Sequence, residues 1–267
     1  MELVKAHAYG NDFLLLPSES TEPSGDMASL ARRVCDRHAG IGADGLMIVV
    51  QTEGGARTRL LNADGSRSEI SGNGIRCVAA WLARTRGLAA GAQVVLDTEA
   101  GLRTIDVLSV DGTRYFCRAE MGQPEGLRQV PIEVAGQTVT AVVLRVGNPQ
   151  CVVIGPPEGL TTNRLHTIGA GLAVHPFFPE GTNVELATVV EPGRVKVLIW
   201  ERGVGPTEAS GTGACAAAVA TAMFGGAARV SDVVSPGGTQ RVEWTGDGLF
   251  LTGWAELTGA VQWWGAR

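Results

Sequence analysis

Short runs of apolar and β-branched residues recur along the chain, separated by turns that are rich in glycine and asparagine. Runs of this length between turn residues predict β-strands. The clearest lie at 46–50, 94–96, 139–143, 151–154 and 195–200. Apolar residues at helical spacing predict three helices of note, at 28–37, 74–85 and 213–224. Many strands with few helices predict an α+β fold.

Two of the predicted helices begin after nearly the same four residues. Ser71-Gly72-Asn73-Gly74 precedes the first, and Ser210-Gly211-Thr212-Gly213 precedes the second, 139 positions later. Both helices continue into alanine and other apolar residues, which predicts that each is buried on most sides. Because the offset is about half the chain, the repeat indicates an internal duplication.

The duplication predicts two similar halves. We place the N-terminal half at residues 1–118 and the C-terminal half at 119–256. A last strand at about 257–267 is expected to rejoin the N-terminal half. Residues 121–124, Met-Gly-Gln-Pro, have the composition of a linker between the halves.

The repeated motif suits an anion. A helix N-terminus has backbone N–H groups without a helical partner and carries a partial positive charge. Glycines let a ligand approach those N–H groups closely. The chain lacks both the GxxxxGK[ST] and GxSxG patterns, so neither a nucleotide phosphate nor esterase chemistry is favoured. The alternative is that each serine only caps its helix and each glycine only permits a tight turn.

Polar residues in turns surround the two motifs. Arg202, at the end of a predicted strand, could hold a carboxylate, and Glu201 beside it could take an ammonium group; the alternative is a surface ion pair. Asn11, Asn148 and Asn183 each lie within two residues after a glycine in a turn context, where asparagine is common for structural reasons alone. Together these residues would suit a zwitterionic substrate such as an amino acid.

Composition excludes several other classes. The net charge is −5 and no run of basic residues exceeds two, which argues against a nucleic-acid partner. We find no signal peptide and no apolar window of about 18 residues. The five cysteines are odd in number and form no CxxC pair, so neither a disulfide framework nor a zinc site is suggested. We therefore expect a cytoplasmic protein with buried, reduced thiols.

Several sequence motifs, spread over most of the chain, are similar to those of the diaminopimelate epimerases. They occur in the family's order: HAYGNDF at 7–13, RHAGIGAD at 37–44, NADGS at 62–66, GNGIRC at 72–77, GNP at 147–149, TN at 182–183, ERGVG at 201–205 and GTGAC at 211–215. The resemblance implies two pseudo-symmetric halves, each a curved sheet around a buried helix, with the active site in the cleft between them.

The resemblance also implies a function. Members of this family interconvert LL- and meso-diaminopimelate for lysine and peptidoglycan synthesis, without pyridoxal phosphate or a metal, and often as dimers. The residues that would bind substrate follow by position. Backbone N–H groups at Gly72, Asn73, Gly211 and Thr212 would hold the reacting carboxylate, Asn11 and Asn148 would line the site, and the distal end would meet Asn62, Asn183, Glu201 and Arg202.

The chain departs from the family at the catalytic positions. The family has one cysteine on each side of the α-carbon, and those positions are Ser71 and Ser210 here. Gln150 stands where the family often has histidine. A helix N-terminus can lower the pKa of a cysteine from about 8.5 to about 3.5–7.5, whereas a serine hydroxyl needs a neighbouring base. The sequence therefore predicts a binding site with impaired turnover.

Two other functions remain open at this point. The first is a related isomerase or dehydratase that uses Ser71 and Ser210 with a recruited base for one-sided proton transfer. The second is a non-catalytic protein that binds an amino acid.

Overall fold

The computed structural model describes residues 1–19, 21 and 23–265. It divides into two compact units, of which the first is Met1–Ala119 with the C-terminal residues from Thr252 and the second is Glu120–Leu251. Strands dominate both units and helices are few, which confirms the α+β prediction. Among the described residues, no helix is long and apolar enough to span a membrane.

The first part of the chain contributes eight strands and two helices. The strands are β1 (Glu2–Ala8), β2 (Asn11–Ser18), β3 (Gly45–Thr52), β4 (Gly55–Asn62), β5 (Arg67–Ser68), β6 (Gln93–Thr98), β7 (Gly101–Asp111) and β8 (Arg114–Gly122). The helices are α1 (Met27–Cys35) and α2 (Gly72–Arg86).

The remaining chain contributes nine strands. They are β9 (Glu125–Val134), β10 (Gln137–Val146), β11 (Asn148–Ile154), β12 (Asn183–Glu191), β13 (Arg194–Glu201), β14 (Gly205–Thr207), β15 (Val230–Ser235), β16 (Gly238–Thr245) and β17 (Gly248–Gln262). Its helices are α3 (Thr162–Arg164), α4 (Ala170–Ala173) and α5 (Gly211–Phe224), with a 3-10 turn at Pro157–Gly159 and a π-helical turn at Leu165–Gly169.

The strands of the first unit form a closed ring. The order of pairing is β1-β2-β3-β4-β6-β7-β8-β17, and β17 pairs again with β1. Helix α2 contacts five of these strands, and its residues from Gly72 to Ala83 are all buried. Most of these buried residues are small or apolar, so the interior of the ring is where such a helix is stable.

The second unit repeats this arrangement. Its strands pair in the order β9-β10-β11-β12-β13-β15-β16, and α5 is buried from Gly211 to Thr221. The parallel pairs β2–β3 and β4–β6 correspond to β11–β12 and β13–β15. The same connectivity therefore occurs twice, each time with a buried helix after a short strand.

The predicted helices differ from the observed ones by one or two residues at several ends. Helix α1 covers 27–35 rather than 28–37, and α2 and α5 begin at Gly72 and Gly211, two residues earlier than predicted. The Gly-x-Gly was expected to form a turn, but each serine caps the helix and the glycines already lie in its first turn. Half of the proposed linker is strand, because Met121 and Gly122 end β8. The strand expected at 257–267 is the latter part of β17; residues 266 and 267 lie outside the described residues.

Candidate functional site

Ser71 and Ser210 occupy the N-cap positions of α2 and α5. Both have extended backbones, with φ/ψ of −124°/121° and −133°/133°. The Gly74 N–H donates to Ser71 Oγ at 3.1 Å, and the Gly213 N–H donates to Ser210 Oγ at 3.3 Å. The capping interpretation is therefore correct for both serines. Because Oγ acts only as an acceptor in these two bonds, each hydroxyl keeps a proton that it can donate.

A side chain on the second glycine of either motif would lie close to a neighbouring side chain. A β-carbon on Gly74 would lie 3.1 Å from Met47 Sδ, and one on Gly213 would lie 2.8 Å from Glu185 Oε1, so those flexible side chains would have to shift. The backbone N–H groups of Gly72, Asn73, Gly211 and Thr212 belong to these first turns, where the helix itself supplies no acceptor. A helix start of this kind can receive an anion.

A hydrogen-bonded chain links the start of α2 to the start of β2. Arg76 Nη2 donates to Asn73 Oδ1 at 2.5 Å, and Asn73 Nδ2 donates to Asn11 Oδ1 at 3.0 Å. Asn11 Nδ2 then donates to Asp44 Oδ2 at 2.8 Å. The first unit thus brings together the predicted residues Asn11 and Asn73 and fixes the orientation of both amides.

Ion pairs surround Asp44, the last acceptor in this series of hydrogen bonds. Arg37 Nη2 lies 2.7 Å from Asp12 Oδ1 and 2.9 Å from Asp44 Oδ1, and Lys5 Nζ lies 2.5 Å from Asp12 Oδ2. Burial acts to raise the pKa of Asp12, but hydrogen bonds from Arg37 and Lys5 outweigh it and lower that pKa. Burial and the charge of Asp12 raise the pKa of Asp44. The two carboxyl groups therefore shift in opposite directions, and Asp12 is the more acidic of the pair.

Asn62 lies at the end of β4 and is buried. Its Nδ2 donates to Ser66 Oγ at 3.0 Å, and its backbone N–H donates to Ser66 O at 2.9 Å. These bonds close the turn that follows β4, so Asn62 has a structural role in this loop whatever else it contacts.

The second unit brings Asn183, Glu201 and Arg202 together. Asn183 begins β12 and Glu201 ends β13, its antiparallel neighbour. The Arg202 backbone N–H donates to Asn183 Oδ1 at 2.8 Å, and Arg202 Nη1 donates to Glu180 O at 3.0 Å. Glu201 and Arg202 are both half-buried. Arg202 is thus anchored at two points, which restricts where its guanidinium group can lie.

Asn148 and Gln150 form a second buried pair in this unit. Gln150 Nε2 donates to Asn148 Oδ1, and Gln150 is in parallel register with Asn183 on the neighbouring strand. Gln150 Oε1 is buried without a hydrogen-bond partner. The three amides therefore form a row across β11 and β12.

Sequence reasoning missed Glu185. This residue lies on β12 two positions after Asn183, is 0% exposed, and has no hydrogen-bond partner at either carboxyl oxygen. Burial, and to a smaller extent the charge of Glu201, raise its pKa well above the usual value. A lone glutamate in the apolar run Val184-Glu185-Leu186-Ala187 was the available signal.

The cysteines do not replace the two serines. All five are buried and free, which confirms the prediction of reduced, buried thiols. Burial raises the pKa of Cys77 to about 12, so its thiolate is scarce at neutral pH. Among the described residues, no cluster of three or more His, Cys, Asp or Glu side chains could hold a metal ion.

Comparison with known proteins gives a consistent result. The family model for diaminopimelate epimerase matches residues 3–127 and 142–263. A diaminopimelate epimerase from Desulforudis audaxviator is 42% identical over 98% of this chain and 99% of its own length. One from Moorella thermoacetica is 39% identical over 95% of each chain.

A solved structure shares the fold. It is a predicted epimerase from Pseudomonas aeruginosa, with a TM-score of 0.73 at 14% identity and coverage of 99% of both chains. At that identity the likeness supports the fold alone. The family model and the two relatives together cover nearly all of the sequence, and the chain therefore belongs to the diaminopimelate epimerase family.

Proposed function

We propose that this protein binds diaminopimelate and interconverts its LL and meso forms, with a turnover limited by serine at both catalytic positions. The observation that carries this proposal is the pair of serine-capped helix starts, each next to fixed polar side chains, in a chain of this family. Each helix start can receive a carboxylate, and two of them suit the carboxylate at the reacting centre.

The remaining site residues fit the rest of the substrate. Asn11 and Asn148 would line the reacting centre, and their amides are held by Asn73 and Gln150 respectively. We assign the distal amino-acid end to Asn62, Asn183, Glu201 and Arg202. An anchored arginine beside a glutamate supplies the cation for a carboxylate and the anion for an ammonium group. Holding the distal end also fixes the α-carbon in place for proton transfer.

Serine explains why turnover should be low. Proton transfer is most effective when the pKa of the transferring group is near the working pH. A cysteine at a helix N-terminus meets this condition, because the helix stabilises its thiolate. A serine hydroxyl in the same place is a far weaker acid and does not ionise there without a base. Each increase of about 1.4 kcal/mol in the barrier lowers the rate tenfold.

The cellular role follows from the reaction. We propose a place in lysine and peptidoglycan synthesis, in the cytoplasm, as a homodimer that acts without pyridoxal phosphate, metal, nucleic acid or membrane. The acidic net charge and the buried, free thiols support this proposal.

The test combines binding with proton exchange. Calorimetry should show that the unmodified protein binds diaminopimelate. Exchange of the α-proton in heavy water should be slow, and should increase by orders of magnitude in the double variant Ser71→Cys, Ser210→Cys. The matched control is Ser71→Ala, Ser210→Ala, which removes both hydroxyls without adding thiols. Absence of binding, or a folded double-cysteine variant that exchanges no faster than the control, would contradict the proposal.

A further inference from the structure

The carboxyl group of Glu185 and the hydroxyl group of Ser210 face the same small space at the start of α5. A β-carbon added to Gly213 would lie 2.8 Å from Glu185 Oε1 and 3.3 Å from Ser210 Oγ. Both oxygens therefore border the space that a side chain on Gly213 would occupy. Ser210 is 1% exposed and Glu185 is 0% exposed, so the space is shielded from solvent.

The unused hydrogen-bonding capacity of Glu185 points to a role in this space. A buried polar group without a partner destabilises a folded protein, so such groups are rare. Both oxygens of Glu185 lack a partner. Ser210 Oγ accepts a bond from Gly213 and lies 3.5 Å from Thr212 Oγ1, a long contact in which either hydroxyl could be the donor. Ser210 is thus a hydroxyl donor at the space that the unpartnered Glu185 carboxyl borders.

The first unit does not contain an equivalent acid. The parallel pairs β2–β3 and β11–β12 are equivalent in the two units, and they begin with Phe13 beside Gly45 and with Gln150 beside Asn183. Met47 and Glu185 each lie two residues further along the second strand of their pair, so Met47 on β3 corresponds to Glu185 on β12. Met47 Sδ would lie 3.1 Å from a β-carbon on Gly74, in the position that Glu185 Oε1 takes beside Gly213. Of the two serine caps, Ser210 alone therefore has an ionisable side chain at this position.

The surroundings place opposing influences on the Glu185 carboxyl. Burial and the Glu201 carboxylate, which reaches it from β13, both favour the protonated form. The N-terminus of α5 favours the ionised form, and α5 carries no charged residue from Gly211 to Phe224. On β11, Gln150 is neutral, and the buried Cys151 thiol has a pKa that burial raises. The helical segment 162–173 packs against the opposite face, with Val184 and Leu186.

We propose that Glu185 exchanges a proton with Ser210 Oγ and so enables this serine, but not Ser71, to transfer protons at the α-carbon. The proposal rests on the proposed function for the identity of the substrate. In the forward step the Cα–H bond breaks and leaves its electron pair on the α-carbon. That proton passes to Ser210 Oγ while the hydroxyl proton of Ser210 passes to Glu185 Oε1. The reverse step returns a proton by the same route.

Stereochemistry provides a distinctive consequence. Family members use one group on each side of the α-carbon, whereas here Glu185 stands beside Ser210 and Met47 takes the corresponding position beside Ser71. Deuterium should therefore enter faster at one configuration of the α-carbon than at the other, and part of that exchange should occur with retention. The Ser71→Cys variant supplies the missing second group and should convert retention into inversion.

The first experiment follows the Glu185 carboxyl without substrate. Infrared difference spectra against Glu185→Gln isolate its C=O stretch and give the pH midpoint of its titration. Ser210→Ala removes a donor to the carboxylate and should raise that midpoint by about one pH unit. Ser71→Ala should leave the midpoint unchanged. An equal midpoint in the unmodified protein and Ser210→Ala would overturn the proposal.

The second experiment measures exchange and binding in the same variants. Glu185→Gln should lower the rate of α-deuterium exchange by about 10²–10⁴-fold and abolish the rise in rate with pH, while calorimetric affinity for diaminopimelate is retained. Unchanged exchange and pH profile in Glu185→Gln, or an unmodified protein that binds diaminopimelate without any exchange, would overturn the proposal. The two proposals can fail separately. If Ser210→Ala shifts the pH midpoint of Glu185 but the unmodified protein does not bind diaminopimelate, the proposed substrate is wrong and the Glu185–Ser210 pair is supported.

A second variant covers the case in which Glu185→Gln does not fold. Gly213→Ala places a methyl group in the space that the two oxygens border. It should lower the rate of α-deuterium exchange. In a protein that already carries Gly213→Ala, adding Ser210→Ala should no longer shift the pH midpoint of the Glu185 titration. Its matched control is Gly74→Ala, where the methyl group meets Met47. In a protein that carries Gly74→Ala, adding Ser210→Ala should still raise the pH midpoint of the Glu185 titration. Equal behaviour of the two alanine variants would contradict the assigned geometry.

Discussion

Asn73 Nδ2 lies 3.0 Å from Asn11 Oδ1, and this hydrogen bond ties the first turn of α2 to the first residue of β2. The same Asn73 side chain accepts the bond from Arg76, which is completely buried. One amide therefore serves two purposes. It orients a residue of the candidate site, and it supplies an acceptor to a buried positive charge.

We predict that Asn73→Ala destabilises the protein by about 1–3 kcal/mol, because it leaves the partners of Asn73 unsatisfied in the interior. Thr212→Ala is the matched control, since Thr212 is the corresponding residue of α5 and its hydroxyl contacts only Ser210 Oγ, at 3.5 Å. Thr212→Ala should lower the free energy of unfolding by less than Asn73→Ala does. Urea denaturation measures both, and equal losses would show that the Asn73 bonds contribute nothing specific.

Ser71→Asp should separate the capping role of this serine from its role in binding. Aspartate caps helices about as well as serine does, so the melting temperature should stay close to that of the unmodified protein. Ser71→Ala should cost about 1 kcal/mol. The aspartate also places a negative charge at the helix start, where it repels the substrate carboxylate. Calorimetry should therefore show loss of diaminopimelate binding in Ser71→Asp; retained affinity would place the carboxylate elsewhere.

Cysteines introduced at the two caps should differ in acidity. The thiol of Ser71→Cys lies at a helix N-terminus next to Met47, so its pKa should fall below about 8.5. The thiol of Ser210→Cys is more buried and faces Glu185, so its pKa should be the higher of the two. Alkylation rates as a function of pH measure both values. The native thiols provide an internal control, because burial raises the pKa of Cys77 to about 12. The reverse order would contradict the assigned surroundings.

The raised pKa of Glu185 should make the stability of the protein depend on pH. Because the folded state raises its pKa, the folded protein binds more protons than the unfolded chain between the unfolded and the folded pKa values. The free energy of unfolding should therefore fall as pH rises above about 4.3, by at most about 1.4 kcal/mol per pH unit from this group. In Glu185→Gln this loss should be absent. Denaturation at a series of pH values tests the difference, and parallel curves for the two proteins would exclude a buried acid at this position.

The sequence was sufficient to predict the fold class, the duplication and the presence of a helix after each serine-glycine motif. Each of these depends on local signals: alternating apolar runs, glycine-rich turns, and a serine followed by glycines. The helix starts were misplaced by two residues because glycine at 72 and 211 suggested a turn, whereas the serine cap stabilises a helix that includes them.

Contacts between distant parts of the chain were not predictable in the same way. The bond between Asn11 and Asn73 joins residues far apart in sequence, and it depends on where α2 lies inside its ring of strands. The position of Glu185 beside Gly213 depends on the pairing of β12 with β11 and on the packing of α5 against it. No local pattern contains either relationship, and the glutamate within the apolar run at 184–187 was a signal that the sequence reasoning left unused.

The position of β17 in the ring has a consequence for biosynthesis. The ring of the first unit closes only when β17 pairs with β1 and β8, and β17 comes after nearly all of the second unit in the sequence. During synthesis β1 therefore keeps an open edge until residues 248–262 have been made. Open edges invite pairing with other chains. The later half, which is continuous from Glu120 to Leu251, can complete its contacts first, so C-terminal truncations should impair the N-terminal unit before the other.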